Sequence, residues 1–327
     1  MEALKHRMRS IKELMSLAAE FGRYLTGNDY FRKRQGLGPY FQDPRCYYND
    51  LRHKADWDGA VIGGLPALHM INSGQDILLP IMVLLYGLGN IDRYFLDNNP
   101  ARLEPVGRVG EWFVSNLLPE GYFDNAWSER HPTLEFYSNN SAMSQGLALS
   151  FAVRAIQYDL VDGELRGRLE ALVEQIVANM LRPSEQNGTA LYRGEDVYLL
   201  EDCEKESDVV LNGWIFGLFG LYDYLRLCTN DSVQGTYRAT VDTLRRALPR
   251  YRLTSGWSYY DERGRISSPF YHDLHIVQLD AMHRLTGIAE FAIYRDVFRL
   301  ANHRVNKIWY TLNKIKDRLL DQNALGR

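Results

Sequence analysis

The sequence predicts a mainly α-helical protein: an incomplete (α/α) toroid, or barrel, of about four helical hairpins with a small strand-containing N-terminal segment. Apolar residues recur at positions i, i+3, i+4 and i+7 along most of the 327-residue chain. The helices come in pairs, and the first helix of each pair is apolar on nearly every face, which is typical of complete burial. These first helices recur roughly every 60 to 65 residues, which indicates a weak internal repeat.

The predicted elements follow one another in a simple order. Residues 1–25 form an amphipathic helix and 26–74 a loop-rich segment with β-hairpins, and together they make an N-terminal segment, 1–74. Residues 75–327 form the barrel domain. Its predicted helical pairs are 75–97 with 103–117, 141–160 with 164–182, 208–228 with 232–248, and 270–286 with 289–320.

The two helices of a pair differ in composition. A first helix such as VLNGWIFGLFGLYDYL, residues 210–225, has hardly any charged side chain and several glycines. A second helix such as ELRGRLEALVEQIVANML, residues 164–181, alternates apolar and charged positions with helical spacing. We therefore expect an inner ring of buried helices with an outer ring of amphipathic helices packed around it.

Three long loops, 118–140, 183–207 and 249–269, lead into the first helices of the later pairs. Loops of this length are usually functional or contain short strands of their own. Since each precedes the N-terminus of an inner helix, we expect them to meet at one end of the toroid. Helix N-termini carry partial positive charge, so a cleft at this end suits an anionic sugar.

Composition narrows the possible partners and compartments. A net charge of −3 argues against a nucleic-acid partner. The three cysteines lack regular spacing, which indicates reduced thiols and no zinc site. The N-terminus lacks the apolar core of a signal peptide, and the longest apolar run, 77–89, is too short to span a bilayer. We expect a cytoplasmic protein without a transmembrane segment.

One stretch gathers reactive side chains. SGWSYYDERGRISSPFYHDLHIVQL, residues 255–279, places phenols, imidazoles and guanidinium groups on a glycine-containing loop and the helix after it. These side chains could simply pack in the core or cap the helix. They could equally stack on a sugar and transfer protons, because aromatic rings with polar tips suit both roles.

The order and spacing of several motifs resemble the D-glucuronyl C5-epimerases that act on heparosan-type polysaccharides. The likeness runs from about residue 47 to 300. Its motifs are Tyr-x-Asp-x-x-x-Lys-Ala at 48–55, the run YSNNSAMSQG at 137–146, Val-Leu-Asn-Gly at 210–213, YDER at 260–263 and YHDLHIVQL at 271–279.

The resemblance implies roles for individual residues. It places the family's catalytic tyrosines on Tyr260 and Tyr271 and makes Arg263 a ligand of the substrate carboxylate. A third family tyrosine follows a glutamate, but here Asp202 stands after Glu201 in its place. That proton-transfer role stays open among Glu201, Asp202 and Tyr198. The other substrate-binding residues that the resemblance implies are His272, His275, Tyr137, Gln145, Asn212, Tyr48 and Lys54.

The chemistry that the resemblance implies is proton transfer at C5 of a hexuronate. Removing this hydrogen needs a base on one face, an acid on the other and neutralisation of the growing negative charge. A tyrosinate can be the base where nearby cations lower the phenol pKa, and an arginine can hold the carboxylate bidentately. The resemblance thus predicts inversion of D-glucuronate to L-iduronate in a heparosan-like polysaccharide by a homodimer. No cofactor is expected, and a divalent cation is not indicated.

Two other classes of function remain open on the sequence alone. A polysaccharide lyase also begins with removal of the C5 proton and then expels the substituent at C4. A non-catalytic subunit that binds glycans would keep the aromatic cleft without the proton transfer. An unsaturated uronate product would favour the lyase, and solvent-deuterium exchange at C5 would exclude the binding subunit.

Overall fold

The computed structural model describes residues 33–70, 75–125, 140–203, 208–310 and 312–313. Within these ranges helices dominate and strands are short, which confirms the predicted fold class. The helix predicted at 1–25 and the candidate ligand Tyr137 lie outside the described residues. In the described part of the chain, no helix has the length and apolar character needed to cross a bilayer.

The eight named α-helices of the described residues form four consecutive pairs. The first helices of the pairs are α1 (Pro80–Asp97), α3 (Ala142–Gln157), α5 (Leu211–Leu227) and α7 (Pro269–Thr286). The second helices are α2 (Leu103–Asn116), α4 (Gly163–Met180), α6 (Asp231–Ala247) and α8 (Ala289–Ala301). These helices match the ranges predicted from the hydrophobic spacing, except that α4, α6 and α7 each begin one residue earlier and α1 and α8 are shorter.

Short antiparallel hairpins accompany the helices. β1 (Val61–Ile62) pairs with β2 (Leu65–Pro66), and β3 (Leu68–Met70) pairs with β4 (Gln75–Ile77). β5 (Ala190–Arg193) pairs with β6 (Asp196–Leu199) in the long loop before α5. The strand β4 occupies the start of the range predicted as helix, and α1 begins instead at Pro80, because proline favours the first turn of a helix.

The first helices form an inner row in which α1 contacts α3, α3 contacts α5 and α5 contacts α7. Helices α3 and α5 are buried along almost their whole length. Their backbones touch at two glycines: a Cβ on Gly146 would lie 2.2 Å from the carbonyl oxygen of Phe216, and one on Gly220 2.5 Å from the Gly146 Cα. Any larger residue at either position would push the two inner helices apart.

The last predicted helix is interrupted. A single helix was expected over 289–320, but α8 ends at Ala301, and the chain turns helical again at residue 304. At the break the Asn302 side chain donates a hydrogen bond to Asp273, and the Asn306 amide donates to the Ala301 carbonyl at 2.8 Å. Asparagine side chains compete in this way with the backbone bonds of a helix, so the prediction of one continuous helix was wrong.

Candidate active site

The loop that contains Tyr260 is fastened to the start of α5. The Leu211 N–H donates to the Tyr260 carbonyl at 3.1 Å, and Val210 forms a bridge with Asp261. The turn after Arg263 needs Gly264, whose φ of +82° lies in the region that favours glycine. Eleven residues after Tyr260 in sequence, Tyr271 occupies the first turn of α7. Loop 249–269 therefore meets the N-termini of two inner helices, as predicted.

The two tyrosines are in direct contact. The ring centroids of Tyr260 and Tyr271 are 4.7 Å apart with an interplanar angle of 60°. This spacing is that of a packed aromatic pair, so no sugar ring fits between the two ring faces in this arrangement. The structure thus brings the two predicted phenols together.

Glu201 lies beside this pair. The Tyr260 hydroxyl donates to Glu201 Oε1 at 3.4 Å. Glu201 Oε2 is buried and has no hydrogen-bond partner among the described residues. The carboxylate lies against Gly213 at the start of α5, where an added Cβ would be 2.2 Å from Oε2. Burial, together with the charge of the buried Asp202, raises the pKa of Glu201 to about 7, although the hydrogen bond from Tyr260 opposes this rise. A carboxyl with this pKa can exchange a proton near neutral pH.

Two arginines follow the tyrosine loop. Arg263 is 58% exposed, and its Nη1 lies 3.1 Å from Asp208 Oδ1. Arg265 pairs with both Asp208 and Asp261, and its guanidinium carbon lies 5.4 Å from the centroid of the Tyr260 ring. Sequence reasoning singled out Arg263 and missed Arg265. The signal was present in the motif YDERGR, where the second arginine shares the turn.

Tyr198 lies on β6 and faces a different set of side chains. Its hydroxyl donates to Asp196 Oδ2 at 3.5 Å and accepts from Arg250 Nη2 at 3.3 Å. Its ring packs on Trp214 with centroids 5.1 Å apart. Tyr198 therefore packs against α5, with its hydroxyl at Asp196 and Arg250. Among the three candidates for the open proton-transfer role, Glu201 has a hydrogen bond with Tyr260.

His272 is hydrogen-bonded to the protein through both ring nitrogens. It is buried and stacks on Trp257 with ring centroids 3.7 Å apart. Its Nε2 lies 2.9 Å from the Phe298 carbonyl oxygen, and its Nδ1 accepts from the Ser258 N–H at 3.1 Å. Because both ring nitrogens are engaged with the protein, the predicted role of His272 in substrate binding is not available to it.

His275 and Gln278 follow Tyr271 along α7, one and two turns later. His275 Nδ1 lies 2.9 Å from Ser258 Oγ, while its Nε2 is buried without a hydrogen-bond partner among the described residues. Gln278 donates from Nε2 to the Asn212 carbonyl at 3.2 Å, and its Oε1 likewise has no described partner. The predicted ligand Asn212 thus belongs to the same buried group at the start of α5.

Gln145 lies in a cluster of amides near the start of α3. Its Nε2 donates to the side chain of Asn140 and, at 2.9 Å, to Asn179 Oδ1. Asn140 in turn donates to Asn179 Oδ1 at 2.8 Å and to the Asn187 carbonyl at 2.7 Å. The Gln145 Oε1 is buried and has no hydrogen-bond partner in the described ranges. This oxygen keeps Gln145 a candidate to accept a hydrogen bond from a ligand.

Tyr48 and Lys54 are both buried where the N-terminal segment packs on the inner helices. The Tyr48 hydroxyl donates to Asp223 Oδ1 at 2.5 Å, deep in the core. Asp223 lies 11 residues beyond Asn212 on α5, about 16 Å along the axis at 1.5 Å per residue. Lys54 is buried, and its Cβ would lie 3.3 Å from a Cβ placed on Gly89 in the middle of α1. Both residues support the packing of the N-terminal segment.

The site consists of two phenols, a carboxyl with a raised pKa and two arginines at the N-terminal ends of buried helices. Among the described residues no cluster of three or more His, Cys, Asp or Glu could hold a metal ion. This set defines a class: a helical protein equipped to bind an anionic group and transfer protons.

The family follows from a direct match. Residues 138–299 match the family model described as D-glucuronyl C5-epimerase C-terminus. The matched range contains Glu201, Tyr260 and Tyr271 and reaches from just before α3 into α8. The chain belongs to the D-glucuronyl C5-epimerase family, whose activity is the epimerisation of glucuronate.

Proposed function

We propose that this protein inverts C5 of D-glucuronate residues to L-iduronate in a heparosan-like polysaccharide. The observation that carries the proposal is the contact chain of Glu201, Tyr260 and Tyr271. Tyr260 donates to Glu201 at 3.4 Å and packs on Tyr271 at 4.7 Å. Three groups able to hold or release a proton thereby meet at one end of the inner helices, within the segment that matches the family.

Glu201 acts behind Tyr260 in this proposal. A phenol is a weak base until it loses its own proton, and free tyrosine has a pKa of about 10. The hydrogen bond from Tyr260 gives that proton a defined acceptor on the Glu201 carboxylate. Because burial raises the pKa of Glu201 to about 7, this carboxylate holds a proton more readily than an exposed one. Tyr260 then removes the C5 hydrogen, and Tyr271 supplies a proton from its neutral hydroxyl.

The sugar binds at the hydroxyl edges of the two rings. Their contact excludes a sugar from between the ring faces. We propose instead that C5 lies between the two hydroxyl oxygens, with one on each side. This arrangement keeps the predicted proton transfer at both faces of C5. It changes only which part of each tyrosine contacts the sugar, the hydroxyl edge in place of the ring face. The exposed guanidinium of Arg263 turns from Asp208 to hold the substrate carboxylate, while Arg265 stays beside Tyr260.

The polymer, the assembly and the compartment complete the proposal. The choice of a polymer rests on the family match over residues 138–299. We propose heparosan-like polysaccharide as the substrate, a homodimer as the working form and the cytoplasm as the compartment. No cofactor takes part in the proposed proton transfers.

The test is incubation with glucuronate polymers in D2O. Heparosan, its N-deacetylated N-sulfated derivative and chondroitin are each treated with the protein. NMR then measures iduronate, and mass spectrometry measures deuterium at C5. We expect both signals with a heparosan-type polymer and neither with the Tyr260→Phe, Tyr271→Phe double variant.

Other outcomes would replace the proposal with a named alternative. An absorbance band from unsaturated uronate would identify a lyase. Binding without deuterium exchange would identify a glycan-binding subunit. Exchange with chondroitin alone would keep the epimerase chemistry and overturn the choice of polymer.

A further inference from the structure

Two buried histidines on α7 share one serine. His272 and His275 are both buried, and both place Nδ1 at 2.9 Å from the hydroxyl oxygen of Ser258. Ser258 is buried as well and lies on the strand-like stretch just before Tyr260. A serine hydroxyl has a single hydrogen, so it can donate to one of the two nitrogens and has to accept from the other. The sequence analysis did not single out Ser258.

The carbonyl of Phe298 fixes the hydrogen of His272. His272 Nε2 lies 2.9 Å from this oxygen, and a carbonyl oxygen only accepts, so Nε2 carries the hydrogen. Burial lowers the pKa of His272 to about 4, so the ring is neutral near pH 7 and its Nδ1 has only a lone pair. The Ser258 N–H donates to this nitrogen at 3.1 Å. The only favourable bond between Ser258 Oγ and His272 Nδ1 is therefore donation by the hydroxyl.

That donation decides the state of His275. Since the Ser258 hydrogen points to His272, the contact of 2.9 Å between Ser258 Oγ and His275 Nδ1 needs a hydrogen on Nδ1. Burial lowers the pKa of His275 well below its ordinary value, so this ring is also neutral. Its Nε2 consequently carries a lone pair. The opposite tautomer would leave the lone pairs of Ser258 and His272 facing each other at 2.9 Å.

We propose that Ser258 and His272 are positioning residues that hold His275 as the Nδ1–H tautomer, so that Nε2 accepts a hydrogen bond from a hydroxyl group in the site. His275 follows Tyr271 by four residues, and side chains at this spacing lie on one face of a helix. Gln278 Oε1 is a second acceptor one turn further, because its amide nitrogen is committed to Asn212. This face of α7 therefore presents two hydrogen-bond acceptors, His275 Nε2 and Gln278 Oε1, to a donor.

The ligand chemistry is a hydroxyl donor, and two sources can provide it. One source is the phenol of Tyr271, which His275 would then orient for proton transfer. The other is a sugar hydroxyl, and the choice of a sugar rests on the proposed function. A carboxylate is excluded as the partner of Nε2, since two acceptors repel each other.

The first experiment reads the tautomer without measuring activity. Long-range ¹H–¹⁵N spectra of the 15N-labelled full chain distinguish the two ring nitrogens of each histidine. The protein contains its own references: His283 Nδ1 lies 2.9 Å from the Ile288 carbonyl, and His272 Nε2 lies 2.9 Å from that of Phe298. We expect His275, assigned by loss of its signals in His275→Gln, to match His283 and to be opposite to His272. A His275 spectrum that matches His272 would overturn the inference.

A second experiment identifies the hydroxyl that donates a hydrogen bond to His275 Nε2. A shift of the His275 Nε2 signal in Tyr271→Phe would identify the phenol, and a shift on addition of heparosan oligosaccharide would identify the sugar. If neither moves this signal, the acceptor role is overturned although the tautomer stands. Failure of the proposed epimerase activity appears separately, as absence of C5 deuterium exchange in the unmodified protein.

Paired variants of Ser258 test the positioning role. Ser258→Ala removes the hydroxyl, and we expect mixed His275 tautomers and a kcat for C5 exchange lowered by about 10- to 100-fold with KM unchanged. Ser258→Thr keeps the hydroxyl and should retain one tautomer and most of the activity. A purely structural serine would change the free energy of unfolding without changing the tautomer of the folded protein, and that result would overturn the proposal.

Discussion

Arg154 on α3 and Glu201, in the loop between β6 and α5, differ in how completely they are hydrogen-bonded. Near the C-terminal ends of α3 and α5, all three nitrogens of Arg154 donate: two to the Cys46 carbonyl at 3.2 and 2.9 Å, and Nη1 to Ser150 and Asp223. Asp223 uses both oxygens, since Tyr48 donates to Oδ1 at 2.5 Å and Arg154 to Oδ2 at 2.5 Å. At the N-terminal end, Glu201 shares one oxygen with Tyr260 and keeps the other without a described partner.

The two groups therefore differ in role: the ion pair of Arg154 and Asp223 stabilises the fold, whereas the Glu201 carboxyl can exchange a proton. Arg154 ties the N-terminal segment to α3 and α5 through the Cys46 carbonyl and Asp223. A fully bonded ion pair resists any change of its charge, because each bond favours the ionised form. Glu201 has little to stabilise its ionised form, so its pKa rises to about 7 and it can exchange a proton. Substitutions in the two regions should therefore have opposite consequences for stability and activity.

The largest effect, on the free energy of unfolding, is expected for the fully hydrogen-bonded Arg154. Arg154→Met leaves Asp223 buried without its cation, which typically costs about 3–5 kcal/mol of the free energy of unfolding. Urea denaturation followed by circular dichroism measures the loss. The exposed Arg166, paired with Glu170 within α4, is the matched control, and Arg166→Met should change stability by less than about 1 kcal/mol. Similar losses in the two variants would remove the distinction between the ends.

The second prediction concerns the phenols of Tyr260 and Tyr271 at the N-terminal end of the inner helices. Tyr260→Phe and Tyr271→Phe keep the packed rings and remove only the hydroxyls, so stability should hold. Loss of a general acid or base typically lowers a rate by about 10²- to 10⁴-fold. Deuterium exchange at C5 and iduronate formation are measured side by side for each variant. Tyr259→Phe, which alters the neighbouring phenol, is the control and should keep its activity. Near-normal epimerisation in a folded Tyr260→Phe or Tyr271→Phe protein would remove that residue from the mechanism.

The third prediction uses pH. The pKa of Glu201 rises from 4.5 in the unfolded chain to about 7 in the folded protein. The protonated carboxyl is thus the form that folding favours, and this contribution is full below pH 4.5 and lost as the pH rises through 7. At 1.36 kcal/mol per pKa unit it amounts to about 3 kcal/mol, and Glu201→Gln should remove this pH dependence from the unfolding free energy.

Asp92 is the matched control for Glu201. Burial raises its pKa from 3.8 to about 7, but its Oδ1 accepts from the Tyr47 N–H at 2.8 Å, far from the tyrosine pair in sequence. Asp92→Asn should also flatten the pH dependence of stability between pH 4 and 7 while C5 exchange persists. Glu201→Gln should lose the exchange. Equal activity losses in the two variants would contradict the assignment of Glu201 to proton transfer.

The smallest effect is expected at the two arginines. Arg263→Gln removes an exposed guanidinium, so stability should barely change while KM for the polymer rises by the equivalent of about 1.5–3 kcal/mol, the range for a bond to a charged group. Arg265→Gln breaks pairs with the buried Asp208 and Asp261 and should lower stability as well. Denaturation and initial-rate kinetics on both variants separate the roles. A raised KM only in Arg265→Gln would transfer carboxylate binding to that residue.

Sequence reasoning succeeded where the determinant was local. The apolar spacing of α3 and α5 and their small residues predicted two buried helices, and the structure has them in contact at Gly146 and Gly220. It failed where distant segments decide the environment. Tyr48 was predicted to bind substrate, but its partner Asp223 lies 175 residues away, and no local pattern signals this bond. His272 was misassigned for the same reason, since Phe298 and Ser258 occupy its nitrogens.

The sequence by itself determined the mainly α-helical class, the four helical pairs and the family. It also determined that the loop containing Tyr260 meets the N-termini of inner helices. Each rests on periodicity or on motif order, which neighbouring residues specify. Only the tertiary structure decided which polar atoms are already bonded. Gly213 leaves room for the Glu201 carboxylate, which keeps one oxygen without a partner among the described residues, whereas Arg154 is surrounded by partners from three segments. Burial and hydrogen bonding depend on all segments that meet at a point, and these determine whether a charged group reacts.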